Sequence, residues 1–138
     1  MMKKTIVVAA LMAVSGAACA TANTDTEMSE KVAARLAEFE PTGKVETCLS
    51  TVRVRSIDAL DDYRFLVRTG VNDYYLNEVS GRCSGAGRAG NRLQYTISGA
   101  QLCRNEIIQV VDNTTGFMVG SCGLGSFQEL AEKPAKTE

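Results

Sequence analysis

The chain has 138 residues, 15 basic and 16 acidic, and no histidine. That length suits a single domain with one core. A formal charge of −1 argues against bulk nucleic-acid binding, which needs net positive charge to displace counterions, and the missing histidine removes Ser-His-Asp triads, Cys-His pairs and histidine metal ligands.

Residues 1–20 read as a signal peptide of bacterial type. Lys3 and Lys4 make a positive start, Ile6 to Val14 a short apolar run, and Ser15 to Ala20 a small-residue end. The apolar run is too short to span a bilayer. Ala18-Cys19-Ala20 is an A-x-A site for cleavage after Ala20, giving a soluble chain from Thr21. The alternative treats Ala17-Ala18-Cys19 as a lipobox, with Cys19 lipidated and the protein held at the membrane. Gly16 stands where a lipobox prefers a large apolar residue, so the soluble reading is favoured. Both readings deliver the protein to the periplasm or the envelope. Losing Lys3 and Lys4 leaves 13 basic against 16 acidic residues, a charge of −3.

Residues 21–44 form a linker and a short helix. Met28, Val32, Leu36 and Phe39 recur at helical spacing, Thr26 can cap the start, and Pro41 and Gly43 are expected to stop it. From residue 45 to 127 the pattern becomes β. Thr51 to Ile57 alternates, Asp58 to Asp62 reads as a turn, and Tyr63 to Arg68 alternates again. Asp73 to Val79 is an aromatic-rich run, and Leu93, Tyr95 and Ile97 share one strand face. Ala100 to Cys103 follows a glycine break. Ile107 to Val111 and Phe117 to Cys122 flank Asp112-Asn113-Thr114-Thr115-Gly116, which is hairpin chemistry. Asn113-Thr114-Thr115 also spells a glycosylation sequon, but it reads as turn chemistry here. Residues 128–138 are polar and are expected to form a flexible tail. The fold class is therefore mainly β: a small antiparallel sheet curled into a barrel or sandwich, behind a short amphipathic helix.

Once the leader is gone, Cys48, Cys83, Cys103 and Cys122 remain, an even number suited to an oxidising compartment. Their gaps of 35, 20 and 19 positions lack the close pairs of a four-thiolate zinc site. No C-x-x-C pair suggests redox catalysis. Four cysteines allow three connectivities. The expected one is nested, Cys83 with Cys103 and Cys48 with Cys122.

Gly85-Ala86-Gly87-Arg88-Ala89-Gly90 spells G-x-G-x-x-G, but the dinucleotide fingerprint needs a strand before it and a helix after. Here a cysteine turn precedes it and a strand comes after, so it reads as a β connection and no cofactor is expected. Arg53 and Arg55 are expected on one strand and Arg64 and Arg68 on another, so that pairing would make an anion-binding patch. Asp58, Asp61, Asp62, Asp73 and Glu78 stand close enough in sequence to neutralise it. Asp61 and Asp62 are adjacent, point apart in extended chain, and read as turn residues rather than an acid–base pair.

Cys48, "SID" at Ser56 to Asp58, "YLN" at Tyr75 to Asn77, Cys83, Leu102-Cys103 and "CGLGSF" at Cys122 to Phe127 resemble a family of small secreted proteins and lipoproteins of proteobacteria, the domain of unknown function numbered 6491. The resemblance spans about residues 45 to 127 and implies location and architecture, with no activity to transfer. The functional expectation is a non-enzymatic envelope module whose partner is an envelope protein or an anionic envelope component. Membrane attachment is expected only if Cys19 is lipidated. An inhibitor presenting the Ser84 to Asn91 loop, or an enzyme using carboxylates and tyrosines, is the alternative.

Overall fold

The computed structural model describes residues 28–136; the leader, Cys19 and Thr26 lie outside them. A helix α1 (Glu30–Leu36) opens the described chain. Ser29 caps it, its hydroxyl accepting from the Val32 amide at 3.3 Å. The helix is shorter than its apolar spacing suggests. Phe39 already begins strand β1 (Phe39–Glu46), so Pro41 and Gly43 lie inside a strand instead of ending a helix. β1 is a sheet edge, where a proline removes no ladder bond. Gly43, at φ 85°, lies where the register slips between Pro41 and Val45.

β2 (Cys48–Ser50) and β3 (Ser56–Ala59) are separate strands. The single strand expected over Thr51 to Ile57 is broken by a turn, where the Arg53 and Val54 amides both donate to the Ser50 carbonyl. β4 (Arg64–Arg68) and β5 (Tyr74–Glu78) come next as hairpin partners, with Arg64 opposite Glu78 and Arg68 opposite Tyr74. β6 (Asn91–Tyr95), β7 (Gln101–Cys103), β8 (Ile107–Asp112), β9 (Met118–Gly123) and β10 (Phe127–Glu132) complete the order.

The five-stranded sheet runs β1-β10-β5-β4-β3, the three-stranded sheet β6-β8-β9, and β2 pairs β7 alone; every pairing is antiparallel. No sheet closes into a barrel among the described residues, so the architecture is sandwich-like. Between the layers lie Phe65, Val67, Tyr75, Phe127, Ile108, Val110, Leu102 and Leu49. Leu66, from the opposite face of β4, packs instead with Phe39 and Leu130. Both faces of the five-stranded sheet are therefore covered, which is why β4 buries Phe65, Leu66 and Val67 in succession. On the outer face, Val32 of α1 is buried beside a cavity shared with Ala59 and Leu60, and the Arg35 guanidinium lies over the Phe39 ring.

The chain from Gln128 is not a frayed tail. β10 sits between β1 and β5, Leu130 is buried, and the Lys133 amide donates to the Glu38 carbonyl. The ordered β region extends from Phe39 to Glu132, beyond both expected limits.

The disulfides are Cys48–Cys103 and Cys83–Cys122, so the nested pairing is corrected to an interleaved one. Strand register decides the first: Cys48 stands directly opposite Cys103 in the β2–β7 ladder, with Cα atoms 4.0 Å apart. The second ties the segment after β5 to β9, beside the bridge between Ser80 and Gly123. Cys83 is fully buried. Loops of 55 and 39 positions give stabilisation of about 4 kcal/mol each in the chain-entropy picture.

Candidate functional site

The Ser84 to Asn91 loop is built around Asp62. One carboxylate oxygen of Asp62 accepts from the Gly87 amide at 3.1 Å and the other from Arg82 Nε at 3.0 Å, while its carbonyl accepts from the Cys83 amide. Burial disfavours the charged carboxylate, but the Gly87 amide, Arg82 and the Gly85 amide outweigh it and hold the Asp62 carboxyl below its ordinary value. Gly87 lies against the Asp61 backbone, where an added Cβ would stand 2.8 Å from Cα. The amides of Ala86, Gly87, Arg88 and Asn91 are thus engaged within the protein. Two cavities border the loop: one lined in part by Asp62, Arg82, Arg88 and Asn91, of about 190 Å³, and one between the loop and β3, lined in part by Ile57, Asp58, Gly87 and Arg88, of about 440 Å³. The first is below the range of ordinary small-molecule sites, and the second is an open cleft without converging acids. Ala86 is buried and anchors the loop on the sandwich, while Gly87 to Gly90 are exposed.

The carboxylates do not converge. Asp61 accepts from the Tyr63 and Arg64 amides at 2.7 Å each and from Arg64 Nη1 at 2.7 Å, which organises the β3–β4 turn. The tyrosines separate likewise. Tyr75 is in the core, Tyr74 meets the Phe39 ring at 4.9 Å on the outer face, and Tyr95 borders the inner cluster. Burial, then the Glu129 carboxylate, pushes the Tyr75 phenol above its ordinary value. Among the described residues no group of three or more His, Cys, Asp or Glu is placed to hold a metal ion.

The four expected arginines divide. Arg64 and Arg68 occupy opposite ends of β4. Arg64 is largely buried and engages Asp61, with Glu78 at 3.8 Å. Arg53, Arg55 and Arg68 gather at the other end, near the loops 51–55 and 69–73. The Arg55 amide donates to the Arg68 carbonyl at 2.7 Å, fixing the two chains side by side. Arg68 spends Nε on the Gly70 carbonyl and Nη2 on that of Val71, at 3.0 and 3.1 Å, and lies over the Tyr74 ring. Arg53 is exposed and reaches Asp73 only at 3.9 Å. The Arg55 guanidinium has no hydrogen bond or ion pair among the described residues. Arg55, Arg68, Gly70 and Val71 line a cleft of about 310 Å³.

Two further residues escaped the sequence reading. Val52 and Val71 are 79 % and 77 % exposed, on the two loops that carry these arginines. Val52 reads as a strand residue because Thr51 to Ile57 alternates, with Val52 and Val54 on one face. A run longer than an ordinary strand of five or six residues is the available signal that a turn interrupts it.

The quoted motifs also find their places. Asn77 of the YLN run is fully buried and exchanges two hydrogen bonds with Gly125 of CGLGSF, Nδ2 donating to the carbonyl at 2.8 Å and the amide donating to Oδ1 at 2.9 Å. Residues 2–136 match the family of unknown function DUF6491. The chain belongs to that family. The match covers more than the 45 to 127 of the resemblance and includes β1 and β10, as the ordered β region of this DUF6491 chain does. No curated protein and no solved structure matches it. Its two disulfides fit an oxidising, extracytoplasmic location, and no described helix is long and apolar enough to cross a membrane.

Proposed function

We propose that this DUF6491 chain is a non-enzymatic module of the periplasm or envelope that binds an anionic group through Arg55 and Arg68, with Arg53 beside them. The observation that carries the reading is the cleft flanked by Arg55 and Arg68, whose backbones are held side by side by a hydrogen bond. A guanidinium has five donors in a planar fork, and Arg68 spends only two on its own loop. The Arg55 fork is uncommitted among the described residues. Such an arrangement suits phosphate or carboxylate oxygens.

The alternatives draw less support. An inhibitor loop should project, whereas Ser84 to Asn91 is held down by Asp62 and Gly87. A carboxylate enzyme needs acids facing a common space, whereas Asp61 and Asp62 are engaged in turn and loop contacts.

The test is titration of the disulfide-bonded protein with inorganic phosphate and with glycerol phosphate, monitored by NMR at the arginine side chains. Arg55 and Arg68 resonances should move together and saturate, and Arg55→Ala should abolish the response. Unmoved arginine signals at saturating anion would discard the site.

A further inference from the structure

The arginine end carries a second chemistry. Val52 and Val71 are among the most exposed large apolar residues described, and each sits at a loop tip beside a guanidinium. Arg53 comes directly after Val52, and the Val71 carbonyl is held by Arg68. The Arg53–Asp73 contact at 3.9 Å bridges the two loops. Three guanidiniums stand there against the carboxylate of Asp73, so this end is locally positive on a chain whose formal charge is −1. A soluble anion explains the arginines but leaves the valines in water. A protein partner would ordinarily require a larger apolar centre, with aromatic anchors.

We infer that this end seats on an anionic phospholipid bilayer, with Val52 and Val71 entering the interface and Arg53, Arg55 and Arg68 meeting lipid phosphates. The inference rests on the anion-binding reading above and names its source. Two loop tips cannot span a bilayer; they add apolar contact to electrostatic attraction, and neither component alone gives firm attachment. The seat needs no acyl chain at Cys19. Arg68 keeps Val71 turned outward by clasping the carbonyls of residues 70 and 71, so the tip is preformed and little ordering is needed on contact.

The experiment uses the full disulfide-bonded chain and vesicles of equal parts phosphatidylglycerol and phosphatidylcholine, with pure phosphatidylcholine as control. Wild type should sediment with the anionic vesicles alone and be released at about 1 M salt. Because the chain has no tryptophan, Val52→Trp and Val71→Trp each give a single tryptophan, whose selectively excited emission should shift to the blue on binding. The double variant Val52→Ser/Val71→Ser should lose binding by about tenfold or more while keeping its phosphate response. Arg55→Ala should lose about fivefold on vesicles and its phosphate response as well. Phe117→Ser, exposed on the β8–β9 hairpin, should bind as wild type.

Vesicle binding unchanged in the double valine variant, or tryptophans that stay in water, would overturn the bilayer seat and leave the anion site standing. Equal loss from Phe117→Ser would also overturn it, by showing that any exposed apolar residue serves. An Arg55→Ala chain that binds both probes normally would remove the seat and the anion reading together.

Discussion

Asn77 and Gly125 hold each other through a closed pair of hydrogen bonds, with the Asn77 side chain fully buried and Gly125 half-buried. Gly125 has no room for a side chain: an added Cβ would stand 2.0 Å from the Glu78 carbonyl oxygen. The pair positions the chain just before β10, whose first residue Phe127 is opposite Asn77. Asn77→Ala would leave the Gly125 amide and carbonyl unpaired, at a cost of about 3 kcal/mol. Gly125→Ala should cost as much or more, through overlap with the β5 backbone. Urea denaturation of both variants checks this, and a loss below about 1 kcal/mol in either would count against the clasp.

Peptide mapping without reductant should recover Cys48 joined to Cys103 and Cys83 joined to Cys122. Replacing either pair by alanine should lower stability by about 4 kcal/mol at most, within the usual 5–15 kcal/mol of a small domain. A Cys83–Cys103 peptide would contradict the β2–β7 register as well as the pairing.

Acid should weaken the fold in part through Asp62. Its carboxyl is held below the ordinary value in the folded chain and returns to that value when unfolded. The folded form therefore binds fewer protons, so this contribution is full above the unfolded value and is lost as pH falls through the folded one. Asp62→Asn should cost about 1.5 kcal/mol near neutrality, and the gap to wild type should close below that window. Parallel stability curves from pH 7 down to strong acid would refute the assignment.

Truncation distinguishes strand β10 from the residues beyond it. Ending the chain after Phe127 removes most of β10, which lies between β1 and β5, and should abolish cooperative unfolding. Ending it after Lys133 keeps β10 and its contact to Glu38, and should change stability by less than about 0.5 kcal/mol. Thermal unfolding read by circular dichroism on both forms checks the difference.

The strands whose alternation is bounded by turn chemistry were readable from sequence: the β4–β5 and β8–β9 hairpins lie where Gly70, Asn72 and the Asp112 to Gly116 turn suggest. The helix end was less so, because Pro41 and Gly43 signal breaks in both helix and strand, and only the pairing with β10 makes them an edge bulge. β10 itself reads as tail because its apolar anchors, Phe127 and Leu130, stand among charged residues; burial from both neighbouring strands outweighs that composition. The arginine reading placed Arg53, Arg55 and Arg68 within reach of one another, but Arg64 belongs to Asp61 three positions away. The disulfide partners depended on which short strands meet, which pattern within a single strand does not encode.

The interleaved cystines also divide the molecule mechanically. Every peptide bond from Cys48 to Cys122 lies inside at least one covalent loop, so a single nick there frees no fragment. β1 and β10 lie outside both loops and grip each other by hydrogen bonds and packing alone. Their antiparallel register sets Phe39 opposite Glu132 at the outer end and Glu46 opposite Phe127 at the inner one. Tension applied to the two ends of the chain therefore opens this pair as a zipper, one rung at a time, and then meets the cystines, which short-circuit the backbone from Cys48 to Cys103 and leave the stretch from Cys103 to Cys122 as the part that can still lengthen.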